Sequence, residues 1–261
     1  MDKKTFEEKT VLVTGSTSGM GKSAALLFAK QGAKVVVTGR RKEKGEKVVE
    51  QIKKSGGEAT FFQMDLRKKD SIKETIESTV EKYGKIDVLL ANAGAEQPTT
   101  AELDGLPDEE IDMIIETNLL GTIYSIKYAL PHLKKPGASI CTVSSMYGLL
   151  GNGGVSIYSL TKGGIIMFTK SLAVEQGQHG IRVNCIAPGV IDTEMLQRYT
   201  QGKDMSGYYK ANVPLGEGGN ADEVARVMVF ISSDEAAYIS GQVLAVDGGI
   251  TSKMSNAALP V

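Results

Sequence analysis

Tyr158 and Lys162 stand four residues apart, and Ser145 lies thirteen residues before the tyrosine. On a helix, this spacing puts the phenol and the ammonium on one face, one turn apart. An ammonium beside a phenol favours the phenolate, so the spacing predicts a tyrosine pKa drawn below about 10. A phenol tuned this way is a general acid/base for moving a proton to or from an alcohol oxygen. Ser145 can donate a hydrogen bond to the same oxygen. The spacing recurs at Tyr199 and Lys203, where Gly202 interrupts it and Ile186 stands thirteen residues upstream in place of a serine. Such a pair ordinarily lies on a solvated helix face, so the surrounding elements must separate signal from coincidence.

Those elements follow a rhythm of short apolar runs and longer amphipathic stretches. Residues 11–14, 35–38, 59–64, 86–91, 139–143, 181–186 and 243–246 read as strands. Helices are expected at 23–30, 43–54, 71–82, 107–133 and 155–176, with Pro107 in the first turn of the long one. Strands alternating with helices imply a parallel sheet covered on both faces. Right-handed crossovers then give an α/β fold, a doubly wound, seven-stranded parallel Rossmann sheet. Residues 1–261 are expected to form a single domain. The segment 192–220 is Gly-rich, with scattered Met and Tyr, and reads as an insertion after the sixth strand. Residues 251–261 read as a short tail that either touches a neighbouring subunit or frays.

Composition narrows the function classes. The chain has 261 residues, 41% hydrophobic and 23% charged, with a net charge of −1. This balance offers no basic excess for nucleic acid or an anionic membrane. Cys141 and Cys185 each sit in an apolar strand-like run and are expected to be buried free thiols in a reducing compartment. With only those two cysteines, His132 and His179, no metal-ligand cluster is expected. The charged N-terminal stretch lacks the apolar core of a secretory signal, and no apolar run reaches transmembrane length. A cytoplasmic location is the expectation.

A nucleotide site is legible at one end of the strands. The first strand runs into Thr14-Gly15-Ser16-Thr17-Ser18-Gly19-Met20-Gly21, and a helix follows. Glycines there permit a tight turn and let backbone N–H groups approach a pyrophosphate at the helix N-terminus. After the second strand, NAD sites usually place a carboxylate for the ribose 2′-hydroxyl. This chain has Gly39-Arg40-Arg41-Lys42. Two guanidiniums suit a 2′-phosphate, so NADP(H) is expected over NAD(H). Asp65, after the third strand, can accept from an adenine amino group or cap the following turn. Asn92-Ala93-Gly94 follows the fourth strand, where small residues allow close approach of backbone to cofactor.

Taken together, these residues resemble the short-chain dehydrogenase/reductases over nearly the whole chain. The matching pieces run in order: the glycine turn at 14–21, Asp65, Asn92 to Gly94, Asn118, Ser145, Tyr158 with Lys162, Pro188-Gly189, and Thr193. The resemblance implies that Tyr158 is the general acid/base, and that Lys162 tunes it and holds the nicotinamide ribose. Ser145 would polarise the carbonyl, and Asn118 would help hold a water in a proton relay to Lys162. Pro188, Gly189 and Thr193 would wrap the nicotinamide. Gly15, Ser18, Met20, Gly21, Arg40, Arg41, Asp65, Leu66, Asn92 and Gly94 would line the rest of the cofactor. The chain departs from the family pattern at Ala91, where an asparagine is frequent. The family commonly forms homodimers and homotetramers through its long helices, and 107–133 and 155–176 carry small and apolar residues all round.

The implied reaction interconverts a secondary alcohol and a ketone by hydride transfer. A substrate pocket is expected between Met146, Leu149, Leu150, Asn152 and Gly153, the residues after Gly94, and the 192–220 insertion with its Met195, Leu196, Tyr199, Met205, Tyr208 and Tyr209. Such an apolar lid suits a hydrophobic, hydroxysteroid-like compound. The alternative is a 3-oxoacyl thioester, which the Gly151-Asn-Gly-Gly154 loop resembles, with Lys134 and Lys135 as contacts for an acidic carrier. A non-catalytic nucleotide-binding protein of the same fold is the reading from a different class. It would need the glycines but not the Asn118, Ser145, Tyr158, Lys162 set.

Overall fold

The computed structural model describes residues 5–133 and 136–253. Seven strands form one parallel sheet: β1 (Thr10–Val13), β2 (Lys34–Gly39), β3 (Glu58–Gln63), β4 (Val88–Ala91), β5 (Ser139–Val143), β6 (Arg182–Pro188) and β9 (Val243–Val246). Their order across the sheet is β3-β2-β1-β4-β5-β6-β9. The remaining pair, β7 (Ile191–Asp192) and β8 (Gly219–Asn220), makes a separate small ladder.

Period-two alternation builds a core on each face. Val11 and Val13 of β1, Val35 and Val37 of β2, and Val88 and Leu90 of β4 point into one apolar cluster. The intervening Leu12, Val36 and Leu89 point into the other. The first cluster is closed by α1 (Gly19–Lys30), α2 (Lys42–Lys54) and α9 (Ala221–Ser232), through Phe28, Ile52 and Met228. The second is closed by α3 (Lys69–Tyr83), α5 (Gly121–Leu133) and α6 (Ser156–Gly177), through Ile76, Ile126 and Leu172. Cys141 and Cys185 are buried free thiols within these cores. Among the described residues, no helix is long and apolar enough to cross a membrane.

Strand order reverses between β1 and β4, and this is where a doubly wound sheet opens a crevice. Val13 pairs with Leu90, and the Thr14 N–H donates to the Leu90 carbonyl at 2.9 Å. The glycine turn and the segment after β4 therefore leave the sheet side by side.

The structure corrects the expected helix at 107–133 and adds helices that the sequence did not show. The helix expected at 107–133 is two helices, α4 (Asp108–Ile114) and α5, joined by a wider π-helical turn at Ile115–Leu120. Pro107 is the N-cap of α4 rather than a residue of its first turn. Helix α9 was not anticipated, because Val224, Val227, Val229, Phe230 and Ile231 are poor helix formers by propensity. Its start was readable: Asn220 and Glu223 form a reciprocal capping box. The 192–220 segment is not bare loop but holds α7 (Glu194–Tyr199) and α8 (Ser206–Asn212). The tail at 251–261 lies outside the described residues from 254 onward. Its first residues make a short turn held by Asp247, which accepts from the Thr251 N–H and hydroxyl.

Candidate active site

The end of β5 and the start of α6 bring Ser145, Tyr158 and Lys162 together. Ser144 continues β5, its N–H donating to the Ile186 carbonyl at 2.8 Å. Its hydroxyl donates to the Lys162 carbonyl at 2.8 Å, which pins α6 to the strand end. Ser145 caps the next turn, its Oγ accepting from the Tyr147 N–H at 3.2 Å. The serine's own proton is left for Tyr158, with which it shares a hydrogen bond, or for a substrate oxygen in its place. The Lys162 ammonium is buried and donates to the Val143 carbonyl at 3.0 Å. It lies 5.5 Å from the centre of the Tyr158 ring.

The electrostatics of this trio differ from the expectation. Burial pushes Tyr158 up to about 12, reinforced by the charge of Glu96 and opposed by a hydrogen bond with Ser145. Burial pushes Lys162 down to about 8. The phenol is therefore not drawn down as expected: the ammonium bonds to a backbone carbonyl, and burial dominates the shifts of both groups. The second Tyr/Lys pair separates from the first as well. Helix α7 ends at Tyr199, whose hydroxyl pairs with the Thr100 hydroxyl at 3.1 Å, and Lys203 lies beyond it.

Asn118 sits in the π-helical turn, fully buried. An extra residue in a helical turn re-aims its neighbours and is common at functional sites. Here it lets the Asn118 amide meet both backbone polar groups of one residue. Its Oδ1 accepts from the Ala95 N–H at 2.6 Å, and its Nδ2 donates to the Ala95 carbonyl at 2.9 Å. Gly94 touches both buried groups: a Cβ there would stand 3.3 Å from Asn118 Oδ1 and 3.3 Å from Lys162 Nζ.

Sequence reasoning missed Gln97. Helix α6 starts after Val155, which has no side chain able to cap it. Buried Gln97 supplies the cap from a distance, its Oε1 accepting from the Tyr158 N–H at 3.2 Å. Its Nε2 donates to the Thr99 and Gly154 carbonyls, both at 2.9 Å. Its polar neighbourhood gave no spacing signal, because its partners are backbone atoms, two of them 57 and 61 residues away. Glu96 was missed too. It meets Arg198 of α7 at 3.3 Å across the mouth of the cleft.

That cleft encloses about 540 Å³ and runs from the glycine turn to the start of α7. It is lined by Gly15, Ser18, Met20, Gly21, Arg40, Arg41, Asp65, Leu66, Asn92, Gly94 and Thr193 among the expected residues. Pro188 and Gly189 instead end β6, with the Gly189 N–H donating to the Val246 carbonyl at 3.0 Å. Thr193 caps α7. Asp65 Oδ1 accepts from the Arg67 N–H at 3.1 Å, so part of its carboxylate serves the local turn. Ala91 is buried at the end of β4; Asn92 bridges to the glycine turn, its Nδ2 donating to the Thr14 and Gly15 carbonyls, and the Ala93 N–H donates to Thr14 Oγ1 at 3.0 Å.

A dinucleotide fits these residues. Gly15 has φ +67°, and a Cβ there would collide with Ala93 at 2.8 Å. Helix α1 has no side-chain cap and no acidic residue in its first turn, which leaves its N–H groups and dipole for an anion. Asn92 Oδ1 is a buried acceptor without a protein partner among the described residues. At the adenosine end, Arg41 is already engaged, donating to Ser18 Oγ at 2.6 Å, Thr17 Oγ1 at 3.2 Å and Glu194 at 3.0 Å. Arg40 is exposed and has no carboxylate partner among the described residues.

Around the substrate side, Leu149 and Leu150 are exposed, Met146 is buried beneath them, and Asn152 and Gly153 are exposed. Tyr147 packs edge-on against Tyr158, with centres 6.4 Å apart. Lys134 and Lys135 lie outside the described residues.

The chain was compared with known proteins. A family model described as enoyl-(acyl carrier protein) reductase matches residues 15–251. The 3-oxoacyl-(acyl-carrier-protein) reductase FabG of Thermotoga maritima is 38% identical over 246 residues, 94% of this chain and 98% of that protein. The crystal structure of levodione reductase superposes with a TM-score of 0.91 at 28% identity, covering 95% of this chain and 100% of the other. A short chain dehydrogenase from Burkholderia cenocepacia, solved in complex with NADP, gives a TM-score of 0.87 at 29% identity, covering 94% and 99%. These likenesses lend the hydroxysteroid-like substrate no support. The charged Glu96–Arg198 pair across the mouth, where an apolar wall was expected, also argues against it.

Proposed function

The chain belongs to the short-chain dehydrogenase/reductase family, and on that premise we propose that it reduces a 3-oxoacyl thioester to the 3-hydroxyacyl thioester with NADP(H). It is an oxidoreductase acting between carbonyl and alcohol. The substrate class rests on the 38% identity, over 94% of the chain, to a 3-oxoacyl-(acyl-carrier-protein) reductase. The open, partly charged mouth suits a substrate whose carrier stays outside the cleft.

When bound, the nicotinamide supplies the hydride for the carbonyl carbon. Tyr158 gives its proton to the oxygen on which charge develops. Its pKa of about 12 keeps the phenol protonated at neutral pH, the form a reduction requires. Ser145 donates to the same oxygen with the proton that Tyr147 leaves free. Lys162 remains charged below about pH 8 and has two N–H bonds to spare for ribose hydroxyls. Asn118 holds the Ala95 peptide and Gly94 close to that ammonium. Arg40 and Arg41 favour a 2′-phosphate, and the glycine turn and Asp65 hold the rest of the dinucleotide.

We further read the chain as a homo-oligomer in the cytoplasm. Leu160, Met167 and Val174 recur every seven residues along α6 and are all exposed, at 55%, 60% and 82%. A stripe of that period suits the same helix of a second copy. The two buried thiols suit a reducing compartment.

The test is a panel assay following NADPH oxidation with acetoacetyl thioesters, a fused-ring ketone and a simple cyclic ketone. The thioesters should be turned over with the highest kcat/KM. Preference for a ring ketone would overturn the substrate class, and equal use of NADH would overturn the cofactor.

A further inference from the structure

One carboxylate reaches across the cleft to the cations at its adenosine end. Glu194 opens α7, directly after Thr193, and both Glu194 and Arg41 line the cleft. Glu194 Oε2 accepts from Arg41 Nη1 at 3.0 Å, and Lys44 Nζ donates to both Glu194 oxygens at 2.9 Å. The second amino group of Arg41 is turned toward Ser18 and Thr17. The lid thus meets the end of the cleft where β2 runs into α2, over 150 residues away in the chain.

The chemistry of this contact matters because carboxylate and phosphate ask for the same thing. Both take a guanidinium edge through parallel, charge-assisted hydrogen bonds. Arg41 cannot offer that one edge to two anions at once. Two like charges on one pair of cations also repel each other. The contact is tradable: the Arg41, Lys44 and Glu194 side chains are each between 42% and 45% exposed, and exposed ion pairs contribute little net stability. Lys44 and Arg41 hold the Glu194 carboxyl below its ordinary range, so it is an anion at neutral pH.

We propose that Glu194 is a cofactor-specificity residue whose carboxylate competes with a 2′-phosphate for Arg41 and Lys44. This rests on the NADP(H) reading above. The arginines alone would favour 2′-phosphorylated adenosine strongly, and Glu194 moderates that preference. A neutral residue at this position leaves the cations unpaired and sharpens it.

Calorimetric titration of the full chain with adenosine 2′,5′-bisphosphate and with 5′-AMP tests this without recourse to turnover. Glu194→Gln should bind the bisphosphate about tenfold more tightly than the parent, with 5′-AMP affinity unchanged within about twofold. The gain should shrink when Arg41→Ala is added, to the part carried by Lys44, and shrink in concentrated salt. Circular dichroism checks that each variant is folded, as expected for exposed positions. Unchanged or weaker bisphosphate binding in Glu194→Gln would overturn the inference, as would an equal gain for 5′-AMP. The cofactor reading is scored separately, by the parent. A parent that prefers the bisphosphate while Glu194→Gln changes nothing keeps the cofactor reading and rejects the role of Glu194. A parent without preference, and a Glu194→Gln variant that gains one, does the reverse.

Discussion

Where β5 meets α6, the polar side chains are fastened to backbone. Lys162 holds the Val143 carbonyl, Ser144 the Lys162 carbonyl, Asn118 the Ala95 peptide and Gln97 the Tyr158 N–H. At the β2–α2 end, the charged side chains are fastened to one another: Arg41 and Lys44 to Glu194. Asn118, Lys162 and Gln97 are buried, whereas Arg41, Lys44 and Glu194 stand nearly half exposed. Backbone partners cannot move without moving the sheet, so the first end is fixed. Side-chain partners on a wet surface exchange at little cost, so the second end is adjustable. Fixed geometry is what proton transfer needs, and exchangeable charge is what admits a ligand.

Replacing Lys162 by Met probes the fixed end hardest. Reduction should fall by on the order of 10²-fold or more, as for loss of a group acting on the proton donor. Stability should move the other way. The lysine titrates at about 8 in the folded chain, against an ordinary value of 10.5. Below pH 8 both folded and unfolded chains are protonated, and the burial cost is present in full, roughly 3 kcal/mol. Between the two values the folded chain has released the proton and the cost declines, vanishing above the unfolded pKa. Thermal melts should therefore find Lys162→Met more stable than the parent at neutral pH, by a margin that narrows as pH rises. In the parent, a pH profile of reduction should fall through about pH 8 as the ammonium is lost, while Tyr158 stays protonated.

Gln97→Ala should have a smaller effect. It removes the partner of the Tyr158 N–H and of the Thr99 carbonyl, and one of two donors to the Gly154 carbonyl, a loss of about 1–3 kcal/mol by denaturant titration. Reduction should slow through kcat, with the KM for NADPH little changed. Smallest is the response of the adjustable end to salt. NADPH affinity should weaken only several-fold between low and high ionic strength, while the kcat at saturating NADPH holds steady. A kcat that fell with salt as steeply as affinity would erase the distinction between the two ends.

Much of this was legible in the sequence, and the gaps have physical causes. The seven strands were readable because each is a short apolar run between turns, and the glycine turn because its residues are local. Tyr158, Lys162 and Ser145 were readable as a set because helix spacing and a strand end place them. Their pKa values were not, because desolvation depends on how the sheet, α4, the π-helical turn and the Met146–Gly148 turn pack against α6, which no spacing reports. Gln97 and Glu194 were invisible for a related reason: each acts on partners dozens to more than 150 residues away. The π-helical turn at Ile115–Leu120 hid because apolar periodicity tolerates one extra residue. Its one local sign was Asn118, an amide between the apolar Ile114–Ile115 and Leu119–Leu120 pairs.

In the proposed function, Tyr158, held protonated by burial, gives the proton in carbonyl reduction. Single-turnover reduction of an acetoacetyl thioester by NADPH-loaded Tyr158→Phe tests it most directly, with NADPH binding measured in the same samples. Loss of the hydride-transfer step by about 10³-fold, with NADPH bound as in the parent, is the expected result. Hydride transfer within a few-fold of the parent would contradict the account.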